Sequence, residues 1–223
     1  MKKNILVCAL FFVLFSTGAM AQQVRFGIRA GVSEAAWRGD VTESTNALID
    51  LTSGYAERQA RTGFHAGVYA AIPLSAQFTF EPGIQYSQKG TVLKGDFSND
   101  AIGILNARAT VTNRASYIDV PLLAKFYVTE GFLIFAGPQV SFLVANQVNT
   151  RASVLGFSLL NRDFDATSNF RRVDVGLTGG LGYRFSNGLN FSLGYDHGLS
   201  TLDPNGNING YNRVVKASVG FEF

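Results

Sequence analysis

An alternation of apolar residues with small or polar ones recurs along this chain, and it limits the fold more than any other feature. Val24, Phe26, Ile28, Ala30 and Val32 are interleaved with Arg25, Gly27, Arg29 and Gly31. Successive side chains of a strand point to opposite faces, so a period of two predicts strands with one apolar face. The opposite face carries glycine and charge.

Seven further segments repeat the pattern. Phe64, Ala66, Val68, Ala70 and Ile72 alternate with His65, Gly67 and Tyr69, and Phe78, Phe80, Pro82, Ile84 and Tyr86 with Glu81, Gly83 and Gln85. Ile118, Val120, Leu122, Ala124, Phe126 and Val128 oppose Tyr117, Asp119, Lys125 and Tyr127. Phe132, Ile134, Ala136, Val140 and Phe142 form a fifth row, with Leu133 and Phe135 leaving its phase open. Val173, Val175, Leu177, Leu181, Tyr183 and Phe185 oppose Arg172, Asp174, Gly176, Gly180, Gly182 and Arg184. Leu189, Phe191, Leu193 and Tyr195 alternate with Asn190, Ser192, Gly194 and Asp196, and Val215, Ala217, Val219, Phe221 and Phe223 with Lys216, Ser218, Gly220 and Glu222.

The links alternate in length. Pro73 to Gln77, Thr129 to Gly131 and Ser186 to Gly188 are tight, whereas Ser33 to Thr62, Ser87 to Ser116, Asn146 to Phe170 and Ser200 to Asn212 are long and polar. Short periplasmic turns and long outer loops mark outer-membrane barrels. The expected fold is therefore all-β: a transmembrane eight-stranded antiparallel up-and-down β-barrel with four long extracellular loops. An open sheet edge in hydrocarbon leaves amides unpaired, which requires closure. Phenylalanines at the turn ends, Phe78, Phe126, Phe132, Phe185, Phe191, Phe221 and Phe223, predict one aromatic girdle. Phe64, Tyr86, Phe142 and Tyr195 predict the other.

Composition supports this reading. The chain has 24 glycines and 19 phenylalanines with 16% charged residues, and beyond its start no apolar stretch is long enough for a membrane helix. Residues 1–21 read as a cleaved signal peptide: Lys2 and Lys3, the apolar run Ile5 to Phe15, then Ala19-Met20-Ala21 before Gln22. Residues 22–223 form the barrel domain. Loss of the signal lowers Lys plus Arg from 19 to 17 against 16 acids, and no basic run marks a nucleic-acid surface. It also removes Cys8, the only cysteine, and with it any disulfide framework.

Tyr117-Ile118-Asp119-Val120-Pro121-Leu122-Leu123-Ala124-Lys125-Phe126, Gly137-Pro138, Val173 to Leu177 with Gly182-Tyr183, Gly194-Tyr195-Asp196-His197-Gly198-Leu199, and Val219-Gly220-Phe221-Glu222-Phe223 form a further set of motifs. Together they resemble the PorT-like outer-membrane β-barrel family of Bacteroidetes. The resemblance implies a Gram-negative outer-membrane location and, for some relatives, a link to secretion and gliding. It also implies that the terminal Phe223 is the aromatic signal read by the barrel-assembly machinery.

The charges expected in the lumen are Arg25, Arg29, Glu81, Asp119, Lys125, Arg172, Asp174, Arg184, Asp196, Lys216 and Glu222. Both signs are present, so a salt-bridge plug is the main expectation and an ion path or binding cluster the alternative. Gly176 to Gly182 superficially resembles a phosphate loop but lies in a strand pattern. Asp203 to Asn207 starts like a calcium loop, yet Ile208 and Val214 stand where the turn glycine and bidentate acid belong. His65 and His197 form no metal pair. His197, Ser200 and Asp203 supply the residue types of a hydrolytic triad near one rim.

Trp37 is expected on the first loop as a membrane anchor or partner contact, with a short helix around Leu48, Ile49 and Leu51. No cofactor or catalysis is expected. The expected partners are membrane lipids, the assembly machinery and an envelope protein reached through the loops.

Overall fold

The computed structural model of the chain describes residues 23–39, 56–98, 106–154, 157–204 and 209–223. The proposed signal, its cleavage point and the helix around Leu48 lie outside these residues. The described residues form nine strands: β1 (Arg25–Gly39), β2 (Ala56–Pro73), β3 (Phe78–Ser98), β4 (Asn106–Tyr127), β5 (Phe132–Val154), β6 (Phe157–Asp165), β7 (Val173–Arg184), β8 (Leu189–Gly198) and β9 (Gly210–Glu222). The sheet runs β4-β3-β2-β1-β9-β8-β7-β5-β6, and a β4–β5 pairing closes it. The closed ring therefore contains eight antiparallel strands, as the alternation predicts. The ninth, β6, pairs with Gln147 to Val154 of β5 beyond the ring.

Closure is continuous at the chain ends, where β1 pairs with β9 from Gly27↔Glu222 to Gly39↔Gly210. The turns opposite the long links are fixed locally. Ser75 Oγ accepts from the Phe78 amide at 3.0 Å and Thr129 Oγ1 from the Phe132 amide at 3.1 Å. At the third turn Asn187 Oδ1 accepts from the Leu189 amide at 3.1 Å, beside Gly188 at φ +90°.

The apolar rows face outward. Ile28, Val68, Ile84, Ile134, Leu177, Leu193 and Val219 are all exposed, whereas their neighbours Asp174, Thr178, Asp196 and Glu222 are buried. A soluble sheet would turn its apolar face inward, so this inversion marks a surface solvated by lipid. Among the described residues no helix is long and apolar enough to cross a membrane. Rings meet at both rims: Phe78 with Phe126 at 5.3 Å and Phe185 with Phe191 at 6.0 Å at the turn end, Phe64 with Tyr86 at 5.6 Å at the other.

Inward glycines make room for large inward side chains. A Cβ on Gly27 would stand 2.4 Å from Tyr69 Cζ, and one on Gly180 would stand 2.7 Å from Phe135 Cζ. Leu133 and Phe135 belong to the lumen, which resolves the phase of β5: Leu133 is buried and Ile134 exposed. Gly27→Ala should displace Tyr69 and lower stability by about 1 to 3 kcal/mol. In a double-mutant cycle with Tyr69→Ala much of that loss should disappear, since the clash has one partner side chain.

The long links differ most from expectation. Their strands continue past the upper rings, so Ser87 to Ser116 is mostly a paired hairpin running from Ser87↔Tyr117 to Ser98↔Asn106. The segments 56–60, 91–98, 106–116 and 146–154 with β6 build a wall above one side of the barrel. Outside hydrocarbon neither face needs to be apolar, so these extensions lack the alternation that betrays the lower strands.

Candidate functional site

Ten of the eleven expected lumen charges line the barrel interior, and they lie in tiers. Nearest the tight turns, Glu222 receives Arg25 Nε at 3.2 Å and Arg184 Nε at 2.9 Å. One tier further in, Glu81 holds both Arg29, at 2.7 Å, and Lys125. The Tyr69 ring lies under the same two cations, 4.5 Å from Arg29 Cζ and 5.3 Å from Lys125 Nζ, and Asn190 Nδ2 donates to its hydroxyl at 2.9 Å.

Above a belt of Leu123, Leu133 and Phe135, the third tier is acidic. Asp119 accepts from Lys89 Nζ at 3.0 Å and from Ser87 Oγ at 2.7 Å, and Asp196 pairs with Lys216 at 2.8 Å. Asp174 accepts from Asn212 Nδ2 at 2.8 Å. Register accounts for much of this convergence, because Arg29, Gly67, Gln85, Asp119, Ser141 and Asp174 are successive cross-strand partners.

Arg172 is the exception. Its side chain is exposed, because the chain bends just before β7 and the alternation ends with the strand. It is not a lumen residue, and it makes no pair with Asp174. Conversely, Lys89, expected in an outer loop, is 2% exposed and belongs to the lumen. Its signal was available, since it continues the inward row of Glu81, Gln85 and Ser87.

The outer mouth is roofed. Arg171 donates to Thr201 O at 2.8 Å, and Phe170 packs on the buried Ala115, Tyr117 and Leu143. Trp37 stacks on Phe170 at 5.6 Å. It is therefore part of the cap on strand β1, not a loop side chain reaching for the membrane. At the other mouth a cavity of about 480 Å³ opens between the turns, with Arg25, Tyr127 and Arg184 in its lining.

The remaining motifs separate in space. Gly176 to Gly182 lies within β7, so its amides serve the sheet ladder. His65 is buried against Ser218, 2.8 Å away, whereas His197 is exposed beside Tyr195. Ser200 Oγ accepts from the Val175 amide at 3.0 Å, so its oxygen is engaged by the backbone near the start of β7. Residues 205–208, the core of the calcium-like segment, lie outside them. No group of three metal-ligating side chains occurs among the described residues.

Residues 20–203 match the outer membrane protein beta-barrel domain family. The chain belongs to this family. It is an integral β-barrel protein of the Gram-negative outer membrane. No curated protein matches it. Among solved structures the barrel is similar to Ail, the attachment invasion locus protein of Yersinia pestis, in complex with the heparin analogue sucrose octasulfate. Identity there is 11% over 91% of this chain and 100% of that one, with a TM-score of 0.44. Neisserial surface protein A is 12% identical over 91% and 100%, with a TM-score of 0.44. OprG of Pseudomonas aeruginosa is 11% identical over 89% and 95%, with a TM-score of 0.34.

The barrel interior leaves little open space. The voids around Leu123 and Phe135 measure about 30 and 10 Å³, which is room for single waters and not for a hydrated column. In planar bilayers the purified barrel should show no large, stable conductance. A porin-sized open state would mean that the plug moves aside or that the ring is larger than eight strands.

Proposed function

We propose that this barrel is a non-catalytic outer-membrane scaffold whose task is recognition, carried by the part above the bilayer. The filled lumen is the observation that carries this reading. With salt bridges and rings occupying the interior, the surfaces left for a partner lie at the mouths, and the larger is the extracellular wall built by β2 to β6. Its occupant is an envelope protein. Outer-membrane lipids surround the rest.

The same reading makes residues 1–21 an export signal removed before Gln22 and groups the chain with PorT-like proteins of Bacteroidetes. Phe223 is then the terminal aromatic presented to the assembly machinery. In support, its amide donates to Phe26 O at 2.9 Å and its ring is 70% exposed on the lipid side.

Shortening the β3–β4 hairpin tests the proposal. Leu93 and Val111 are register partners, so removing 94–110 and rejoining with a two-residue turn preserves the pairing below. Loop length weighs only weakly on closure, and heat-modifiable migration on gels, a sign of a folded barrel, should persist. Cross-linking of the envelope partner should fall. If cross-linking persists, and is lost instead with Asp174→Asn in a folded barrel, function lies in the lumen.

A further inference from the structure

Arg61 breaks the charge pattern of the interior. It is 7% exposed, yet its guanidinium donates only to neutral oxygens, Gln88 Oε1 at 3.2 Å and Lys89 O at 3.4 Å. The buried cations Lys125 and Lys89 and the half-buried Arg29 and Lys216 each hold a carboxylate. Among the described residues Arg61 has none. Arg114 has neither an ion pair nor a hydrogen bond there, and its side chain is exposed.

Both arginines border Gly90. Gly90 is the register partner of Arg114, and a Cβ placed on Gly90 would stand 3.3 Å from Arg61 Cδ. With φ +139° at Gly90 the backbone favours glycine, and a Cβ there would meet Asn113 O at 2.1 Å before it met Arg61.

Position indicates the kind of anion that can reach Arg114. Pairing between β3 and β4 is unbroken from Gln85↔Asp119 upward, so Arg114 keeps the outward face of Ile118. Two residues below it, Ser116 Oγ lies 2.8 Å from the hydroxyl of Tyr86, whose ring stacks on Phe64 in the upper girdle. Gln88 Nε2 donates to the same hydroxyl at 3.3 Å, which ties the acceptor of Arg61 to the girdle. Arg114 therefore stands roughly 7 Å beyond the girdle along the strand, at the depth of lipid headgroups and on the lipid side.

We propose that Arg61 and Arg114 form a binding site for the phosphate of an anionic outer-leaflet lipid. A guanidinium matches phosphate with two parallel N–H donors, and basic side chains beside the bilayer surface gain from anionic headgroups. Arg114 makes the direct contact and Arg61 adds its charge from beneath. The acyl chains follow the outward band through Phe64, Val68 and Ile84.

The test reconstitutes the full barrel in nanodiscs of phosphatidylcholine with or without lipid A and counts retained lipid A by native mass spectrometry. Wild type should retain lipid A, and Arg114→Gln should weaken retention about tenfold, the order expected for one lost charge-assisted contact. Arg61→Gln should weaken it further. Because Arg61 is buried and its change also perturbs folding, the exposed Arg114→Glu is its companion and should abolish retention in a folded barrel. Arg172→Gln, which removes an exposed arginine elsewhere, should leave retention unchanged. Equal retention by wild type and Arg114→Glu would overturn the proposal. So would inorganic phosphate displacing lipid A at comparable concentration, which would make this a site for free phosphate.

Discussion

Glu81→Ala should be among the most damaging single substitutions in the barrel, lowering its stability by about 3 to 5 kcal/mol. Glu81 is 1% exposed and is the shared partner of Arg29 and Lys125. Its loss leaves two cations inside the wall with only the Tyr69 ring between them. Removing one partner of a buried ion pair is far worse than replacing the whole set, so Glu81→Leu with Arg29→Met and Lys125→Met should recover much of the stability. Urea unfolding followed by fluorescence of Trp37, the only tryptophan, measures both variants. A single-mutant loss below 1 kcal/mol would mean that water reaches the triad.

The second large effect concerns the other face. Leu177 is 52% exposed near the middle of β7, and Thr178 beside it is 5% exposed. Leu177→Arg puts charge into hydrocarbon and should destabilise by about 2 to 4 kcal/mol. Thr178→Ser deletes one lumen methyl group and should be mild. Refolding titrations into lipid vesicles compare the two directly, and equal effects would reverse the assignment of faces.

Both predictions rest on an alternation that is written plainly in the sequence. The eight ring strands, their outward rows and ten of the eleven interior charges follow from a period of two, because one face must suit lipid and the other a crowded lumen. Leu133 and Phe135 obscured the phase of β5 for a physical reason: the middle of the lumen is apolar, and Gly180 opposite makes room for the Phe135 ring. The strand extensions were illegible because above the membrane both faces are polar, and the alternation vanishes where the constraint ends. Lys89 was legible in principle, since it continues the inward row of Glu81, Gln85 and Ser87, and Arg172 was misplaced by carrying the alternation one residue past the start of β7.

The partners of those charges were less legible than the charges themselves. A sequence lists Arg25, Arg184 and Glu222 without saying that one carboxylate serves both arginines. That arrangement depends on shear between strands far apart in the chain. The roof formed by Phe170, Arg171 and Trp37 is likewise a product of tertiary packing, since Phe170 and Arg171 precede β7 whereas Trp37 stands on β1, far away in the chain.

The central claim is a closed barrel with lipid outside and a filled interior, and a cysteine scan along β7 tests it most directly. In a Cys8→Ser background no other cysteine competes, so single cysteines at residues 174 to 181 can each carry an environment-sensitive fluorophore in outer membranes. Labels at Val175, Leu177 and Leu181 should be quenched by brominated lipid, whereas Asp174 and Thr178 should resist both labelling and lipid quenching. Quenching that fails to alternate, or water-like emission from the Leu177 and Leu181 positions, would contradict the account.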